Sequence, residues 1–416
     1  MRVALIAAYT PSASVDPLGQ PSRAAALARA LAARGHRVTL YARRQAVATS
    51  RTSILGRGAS AEHVPAGPAR PLTADQAARF APQFASYLAD RWRVRPPDVV
   101  HAFSWVGGLV ALGAVRDTGI PVVQTFGSLG SAERRHSVGA DVSLARLQTE
   151  ACVGRRAAAV LAGSADEADE LARLGVPKSG VRVIPSGVDL CLFSPDGKAA
   201  ARGRKFRLIA AASDGQPRGL LPVVQALAQL PGAELVIVGG PDAHRMPRTG
   251  PWREVAQLAA QLRLRGRITF SGQVSEAELP ALLRSADLMV SASRYEPTGV
   301  AAVQAMACGT PVVVSAVGAH NDLVVDGVTG LLVAPENPAM LAHRVRMLLA
   351  RPVQLEALGI AAADRARSRY ALDRTSRETA DAYEWCLRRL AGSDAADADA
   401  ADDAVDVLAG MVAALG

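Results

Sequence analysis

The chain predicts an α/β fold of two doubly wound domains facing a cleft, on three observations. Its 416 residues exceed what one hydrophobic core ordinarily supports. Short apolar runs of strand length alternate with longer helix-like stretches, as in buried parallel strands joined by crossover helices. A turn-rich stretch, Phe193-Ser-Pro-Asp-Gly running to about Arg204, separates one such series from a second.

The first series opens with Arg2-Val-Ala-Leu-Ile-Ala-Ala, a helix-like stretch from Ser22 to Arg34 and the strand His36-Arg-Val-Thr-Leu-Tyr, a βαβ unit. The apolar opening, Val3 to Tyr9, is too short for a secretory leader and stops at Pro11, so it reads as a strand. Asp98-Val-Val-His, Pro121-Val-Val-Gln-Thr-Phe, Ala157-Ala-Ala-Val-Leu-Ala and Val181-Arg-Val-Ile-Pro supply further strands. The second series starts at Phe206-Arg-Leu-Ile-Ala-Ala-Ala and includes Glu234-Leu-Val-Ile-Val-Gly-Gly and Arg267-Ile-Thr-Phe. Long helices, about Ala339 to Ala350 and Thr375 to Leu390, follow. The expected domains are 1–195 and 204–370, with a closing helix over 371–392. The Ala/Asp-rich tail, 393–416, is expected to be disordered up to an apolar end, Val405 to Leu415, of short-helix length.

Half of the residues are apolar, enough for two cores, yet no window approaches the length of a membrane-spanning helix. Cys152, Cys191, Cys308 and Cys386 show no C-x-x-C spacing and read as free thiols of a reducing, cytoplasmic compartment. The net charge is +9, and the tail holds six Asp and no Lys or Arg between Ser393 and Asp406, so the body is near about +15. Such a surface suits anionic small substrates. Aromatic–basic interleaving of the single-strand-binding kind is missing, which argues against a nucleic-acid partner. Peripheral contact with an anionic membrane stays open.

The most informative segment is Asp287-Leu-Met-Val-Ser-Ala-Ser followed by Arg294-Tyr-Glu-Pro-Thr-Gly-Val. It predicts a buried strand, a tight Pro-Gly turn and a helix from Thr298 to Cys308. That helix start would aim the N–H groups of Gly299 and Val300 above the sheet. A helix start at a strand's carboxyl end suits a diphosphate, because dipole and unpaired amides both favour an anion. Gln304 follows Glu296 by eight residues, a little over two turns, and so lies on roughly the same side. Gly239-Gly240 lacks the G-x-G-x-x-G turn of a dehydrogenase. His320, beside Asn321 and Asp322, has the spacing of no metal site, and no metal is expected.

That segment resembles the nucleotide-sugar signature of the retaining glycosyltransferases of family 4. The likeness covers roughly residues 1 to 390 and is strongest with an actinobacterial group. It is carried also by Ala24 to Val38, Pro97-Asp-Val-Val-His-Ala, Gly187-Val-Asp with Phe193, and Ala305 to Val314. The resemblance implies the GT-B fold: an N-terminal Rossmann-like acceptor-side domain, a C-terminal Rossmann-like nucleotide-sugar domain, and a C-terminal helix packing back towards the former. It also implies transfer of a sugar to an acceptor with retention, the nucleotide-diphosphate sugar being a co-substrate and no cofactor being required.

Family members bracket the signature with an E-x7-E pair; Glu296 and Gln304 stand at these positions. The diphosphate clamp, Arg and then Lys five residues on, is represented by Ser213 and Arg218. Glu296 and Arg218 are the catalytic candidates the resemblance implies. On the acceptor side, Gly19-Gln20-Pro21 replaces a Gly-Gly pair and Gly127 replaces a His after Thr125-Phe126. Phe103 stands where a second His is expected after His101-Ala102, and Arg134-Arg135-His136 resembles a basic cluster beside the cleft. Arg to Ser at 213 removes a bidentate, charge-assisted contact. Lys to Arg at 218 keeps the charge. Glu to Gln at 304 costs about 1–2 kcal/mol of ribose contact.

Retaining enzymes of this kind lack an obvious protein nucleophile, so binding and charge stabilisation carry the rate. Three readings follow. One is an active glycosyltransferase with a pocket remodelled around Gly127, Ser213 and Gln304. Another is a non-catalytic protein that binds nucleotide sugar or supports a paralogous partner. The third keeps the fold with changed chemistry.

Overall fold

The computed structural model describes residues 1–8, 23–136, 142–212, 216–245, 250–275 and 277–392. Ser213, Gly19, Gln20 and the acidic tail lie outside them. The chain divides into two compact units. Among the described residues, unit 1 holds those up to Pro185 and again those from Thr375; unit 2 holds those of Ser186–Arg374.

Unit 1 is an eight-stranded sheet: β1 (Arg2–Ala7), β2 (Arg37–Arg43), β3 (Thr52–Gly56), β4 (Ala59–Val64), β5 (Val99–Phe103), β6 (Val122–Thr125), β7 (Ala159–Ala162) and β8 (Val181–Val183). Their order is β3-β4-β2-β1-β5-β6-β7-β8. Every pairing is parallel except β3 with β4. The central strands are largely apolar because helices cover both faces: β6 and β7 are buried at every position, with Gln124 and Thr125 among the buried residues of β6. The β3–β4 pair is absent from the sequence expectations. Thr, Ser, Glu and His interrupt its apolar pattern, and β3 begins with three exposed residues at the sheet edge. The final helix, Leu372–Gly392, places Ala380, Tyr383 and Cys386 in the same core as Leu5, Leu31, Val99, Val123 and Leu161.

Unit 2 contains β9 (Phe206–Ala211), β10 (Ala233–Val238), β11 (Ile268–Gly272), β12 (Leu288–Ser291), β13 (Val312–Ser315) and β14 (Leu331–Val333). They are all parallel, in the order β11-β10-β9-β12-β13-β14. Helices Leu220–Ala228, Pro251–Gln261 and Pro338–Leu349 pack on one face. Helices Leu279–Arg284, Val300–Ala307 and Pro352–Arg369 cover the other. Phe193, from the turn-rich stretch, is buried in that second layer, and Val188 bridges to Ala371.

Both sheets reverse strand order once, between β1 and β5 and between β9 and β12. In such sheets the loops leaving the carboxyl ends part at the reversal and open a crevice that takes ligands. Among the described residues no helix is long and apolar enough to cross a membrane.

Candidate functional site

In unit 2 two loops build the crevice at the reversal. One enters helix Leu220–Ala228 through Gly219; the other leaves β12 and enters helix Val300–Ala307 through Gly299. They meet at Gly219, where a Cβ would lie 2.5 Å from Ser293 N, so a side chain there would force the loops apart. Ser293 is fixed in turn by Ser315, whose Oγ donates to its carbonyl at 2.7 Å. Arg218, half-buried, directly precedes Gly219.

Glu296 follows in the second loop and is 9% exposed. Its Oε1 accepts from Gly299 N at 3.0 Å, and its carbonyl accepts from Ala319 N at 2.8 Å. A Cβ on Gly318, at φ 50°, would fall inside van der Waals contact of that carbonyl oxygen. The backbone of Glu296 is therefore pinned from one side while its carboxylate folds over the helix start, where the dipole favours a negative charge.

One sequence expectation does not hold here. The Gly299 N–H is committed to Glu296 and is not offered to a ligand. The following amides, from Val300, open the helix and have no acceptor within it. Gln304 is 4% exposed and borders a small apolar cavity with Ile209, Val238, Leu279, Leu283 and Met289, between helix and sheet.

His320 was not legible as a site residue. It is fully buried, and its Nδ1–H donates to Ser315 O at 3.1 Å. Burial pushes its pKa down, while the nearby Glu296 charge and the Ser315 carbonyl pull it up.

In unit 1 the strand ends carry a denser charge cluster. His101 lies buried in β5 with both ring nitrogens engaged: Nδ1 is 2.6 Å from Tyr383 Oη and Nε2 is 2.9 Å from Thr125 Oγ1. Its ring stacks on Phe103 at 4.5 Å. Burial, with the Arg23 charge, pushes its pKa down to about 3, so it is a neutral scaffold residue and not a group presented to an acceptor. Gly127 follows β6, and nothing lies within 4 Å of where its Cβ would be.

The turn after Gly127 is held from below. Glu150 is fully buried and accepts from Gly130 N at 2.8 Å through Oε2 and from Arg146 Nε at 2.8 Å through Oε1. Arg146 also donates to Glu133 at 3.1 Å, and Ser128 Oγ donates to Glu133 as well. Burial pushes the Glu150 carboxyl up to about 7, against the pull of Arg146 and the Gly130 N–H. Glu167, also buried, accepts from Gly163 N at 2.6 Å. Its pKa is raised by burial and drawn back by that amide and by Arg23. In the basic cluster Arg134, Arg135 and His136 are all exposed, and Arg135 is paired with Glu170 at 2.7 Å.

Residues 19–191 match the family model described as Glycosyltransferase Family 4, and residues 200–365 match Glycosyl transferases group 1. The chain is 33% identical over 386 residues to D-inositol 3-phosphate glycosyltransferase 1 of Catenulispora acidiphila, covering 86% of this chain and 89% of that one. The chain belongs to glycosyltransferase family 4. A second relative, the D-inositol 3-phosphate glycosyltransferase of Mycobacterium tuberculosis, is 31% identical over 84% of this chain and 75% of its own.

Among solved structures, sucrose-phosphate synthase from Thermosynechococcus elongatus superposes with a TM-score of 0.85 and 27% identity, over 93% of this chain and 99% of the other. The Anabaena protein HepE, solved with UDP and glucose, gives 0.72 over 92% of this chain and 99% of the other; at 20% identity it supports the fold alone. This family 4 chain is a glycosyltransferase of the GT-B type.

Proposed function

We propose that this glycosyltransferase moves a sugar from a nucleoside-diphosphate donor, bound at the β9/β12 crevice of unit 2, to a hydroxyl acceptor bound by unit 1, with retention of configuration. The observation that carries this reading is the Glu296 turn, locked by Ala319 and Gly318 and set over the start of helix Val300–Ala307. A carboxylate held there is placed for the hydroxyls of a sugar, while the first-turn amides and Arg218 favour its diphosphate. Relatives named as glycosyltransferases support the reaction class.

The step balances without a protein nucleophile. The acceptor oxygen bonds to the anomeric carbon on the face from which the phosphate departs, the carbon–oxygen bond to phosphate breaks, and the acceptor proton passes to the departing phosphate oxygen. Positioning and charge stabilisation supply the rate.

Calorimetric titration with UDP, GDP, ADP and their glucose, mannose and N-acetylglucosamine conjugates tests the reading. One conjugate is expected to bind in the micromolar range, and Glu296→Ala to weaken it by roughly tenfold or more, about 1.4 kcal/mol. No binding of any of them by the folded protein would falsify it.

A further inference from the structure

We propose that His320 is a positioning residue for the donor sugar: its imidazole braces the turn that fixes Glu296, and so governs the sugar contact without touching the sugar itself. The inference rests on the donor site proposed above. Glu296 is gripped by its backbone, so the segment that grips it sets where the carboxylate points.

The loop from Ser293 to Glu296 is fastened to the segment after β13 at two points. Ser315 Oγ donates to Ser293 O at 2.7 Å, and Ala319 N donates to Glu296 O at 2.8 Å. The separation of those two points depends on the turn from Ser315 to Ala319. His320 closes that turn: Nδ1–H donates to Ser315 O at 3.1 Å, and the His320 backbone N–H donates to Val317 O, also at 3.1 Å. The Ser315 carbonyl accepts from Val317 N as well, at 2.9 Å. Without the imidazole that carbonyl keeps a partner, but the span from the strand end to Ala319 loses its cross-brace.

The far end of the short helix Ala319–Leu323 is held separately. Arg365 donates from Nε to Leu323 O at 2.6 Å and from Nη2 to Asp322 O at 2.7 Å, and Tyr370 Oη donates to Asp322 O at 2.8 Å. Removing the brace therefore frees the near end, with Ala319 and the Glu296 backbone, and leaves the helix docked. Packing does not account for an imidazole here. Ala319, Leu323 and Val324 place this segment in an apolar core, where a leucine would avoid the desolvation that pushes the His320 pKa down. The hydrogen bond to Ser315 is what the polar side chain adds.

The test uses the full-length protein and three variants. His320→Leu fills the space without a donor. In His320→Asn the amide nitrogen stands near the position of Nδ1, and in His320→Gln near that of Nε2. Amide hydrogen exchange reads the brace without any ligand: in His320→Leu the Ala319 N–H should exchange roughly tenfold faster or more, while that of Val313 in β13 stays protected. Calorimetry then compares UDP, GDP and ADP with their glucose, mannose and N-acetylglucosamine conjugates. For the conjugate that the wild type binds, His320→Leu should weaken affinity about fivefold or more, and that of the bare nucleotide by less than about twofold. Asn should restore both readouts and Gln neither, a contrast that survives if the leucine variant is unstable. With Glu296→Ala already present, His320→Leu should add little, because both act through one carboxylate.

Unchanged Ala319 exchange in a folded His320→Leu would overturn the inference. So would a loss shared equally by nucleotide and conjugate, or one that adds in full to that of Glu296→Ala. If the wild type binds no conjugate, the donor site fails, and the exchange data still decide whether His320 braces Glu296.

Discussion

Glu296 owes its position to a neighbour without a side chain. At Gly318 the backbone adopts φ 50°, and a methyl group would strike the Glu296 carbonyl that Ala319 N holds at 2.8 Å. Gly318→Ala must displace one partner. It is expected to cost about 2–3 kcal/mol of stability and to weaken nucleotide-sugar binding as strongly as Glu296→Ala. Thermal unfolding and calorimetric titration read the two effects, and unchanged affinity would show that the turn does not form the donor site. At this scale the sequence spoke where Pro and Gly punctuate it: Pro297 and Gly299 mark the turn because proline fixes φ and glycine alone accepts the left-handed region cheaply. It was silent on His320, since no spacing announces that the Ser315 carbonyl will close on a buried imidazole.

The helix Leu144–Arg156 holds the turn after β6 through Glu150 and Arg146, and the Glu150 contact depends on pH. Glu150 keeps its proton up to about 7 in the fold, against an ordinary value of 4.5. Its protonation therefore contributes stability that is fully present below about pH 4.5 and is lost as pH rises through 7. His101 acts with the opposite sign: held neutral down to about 3 against 6.5, it contributes stability above 6.5 that is lost as pH falls towards 3.

In Glu150→Gln the loss between pH 5 and 8 should disappear, so the variant gains on the wild type across that window in thermal melts. A constant difference would show that Glu150 is ionised throughout. The strand before this turn was legible as an apolar run, and Arg146–Glu150 has ordinary i,i+4 helix spacing. That spacing is indistinguishable from a solvated surface pair. Only the fold brings Glu133 and Gly130 against it. The β3–β4 pair escaped for a related reason, since an exposed edge strand has no buried face to write an alternating pattern.

Across the whole molecule, the alternation of apolar runs and helices made the two-sheet architecture readable, because parallel strands covered on both faces are apolar along most of their length. Burial of Phe193 and the Val188–Ala371 bridge were not readable, since turn residues give no sign of which core they join. Unit 1 is entered twice by the chain: its last helix delivers Tyr383 to the core and to His101 Nδ1 only after all of Ser186–Arg374. An excised 186–374 fragment should fold and bind nucleotide, whereas a 1–185 fragment should stay loosely packed, with His101 deprived of one partner. Amide dispersion in NMR spectra distinguishes the outcomes, and a well-ordered 1–185 would contradict the expectation. On the ribosome, the first half must wait on the order of ten seconds or more for its closing helix. It is a nascent chain with an open seam, and a natural client for chaperones until translation catches up.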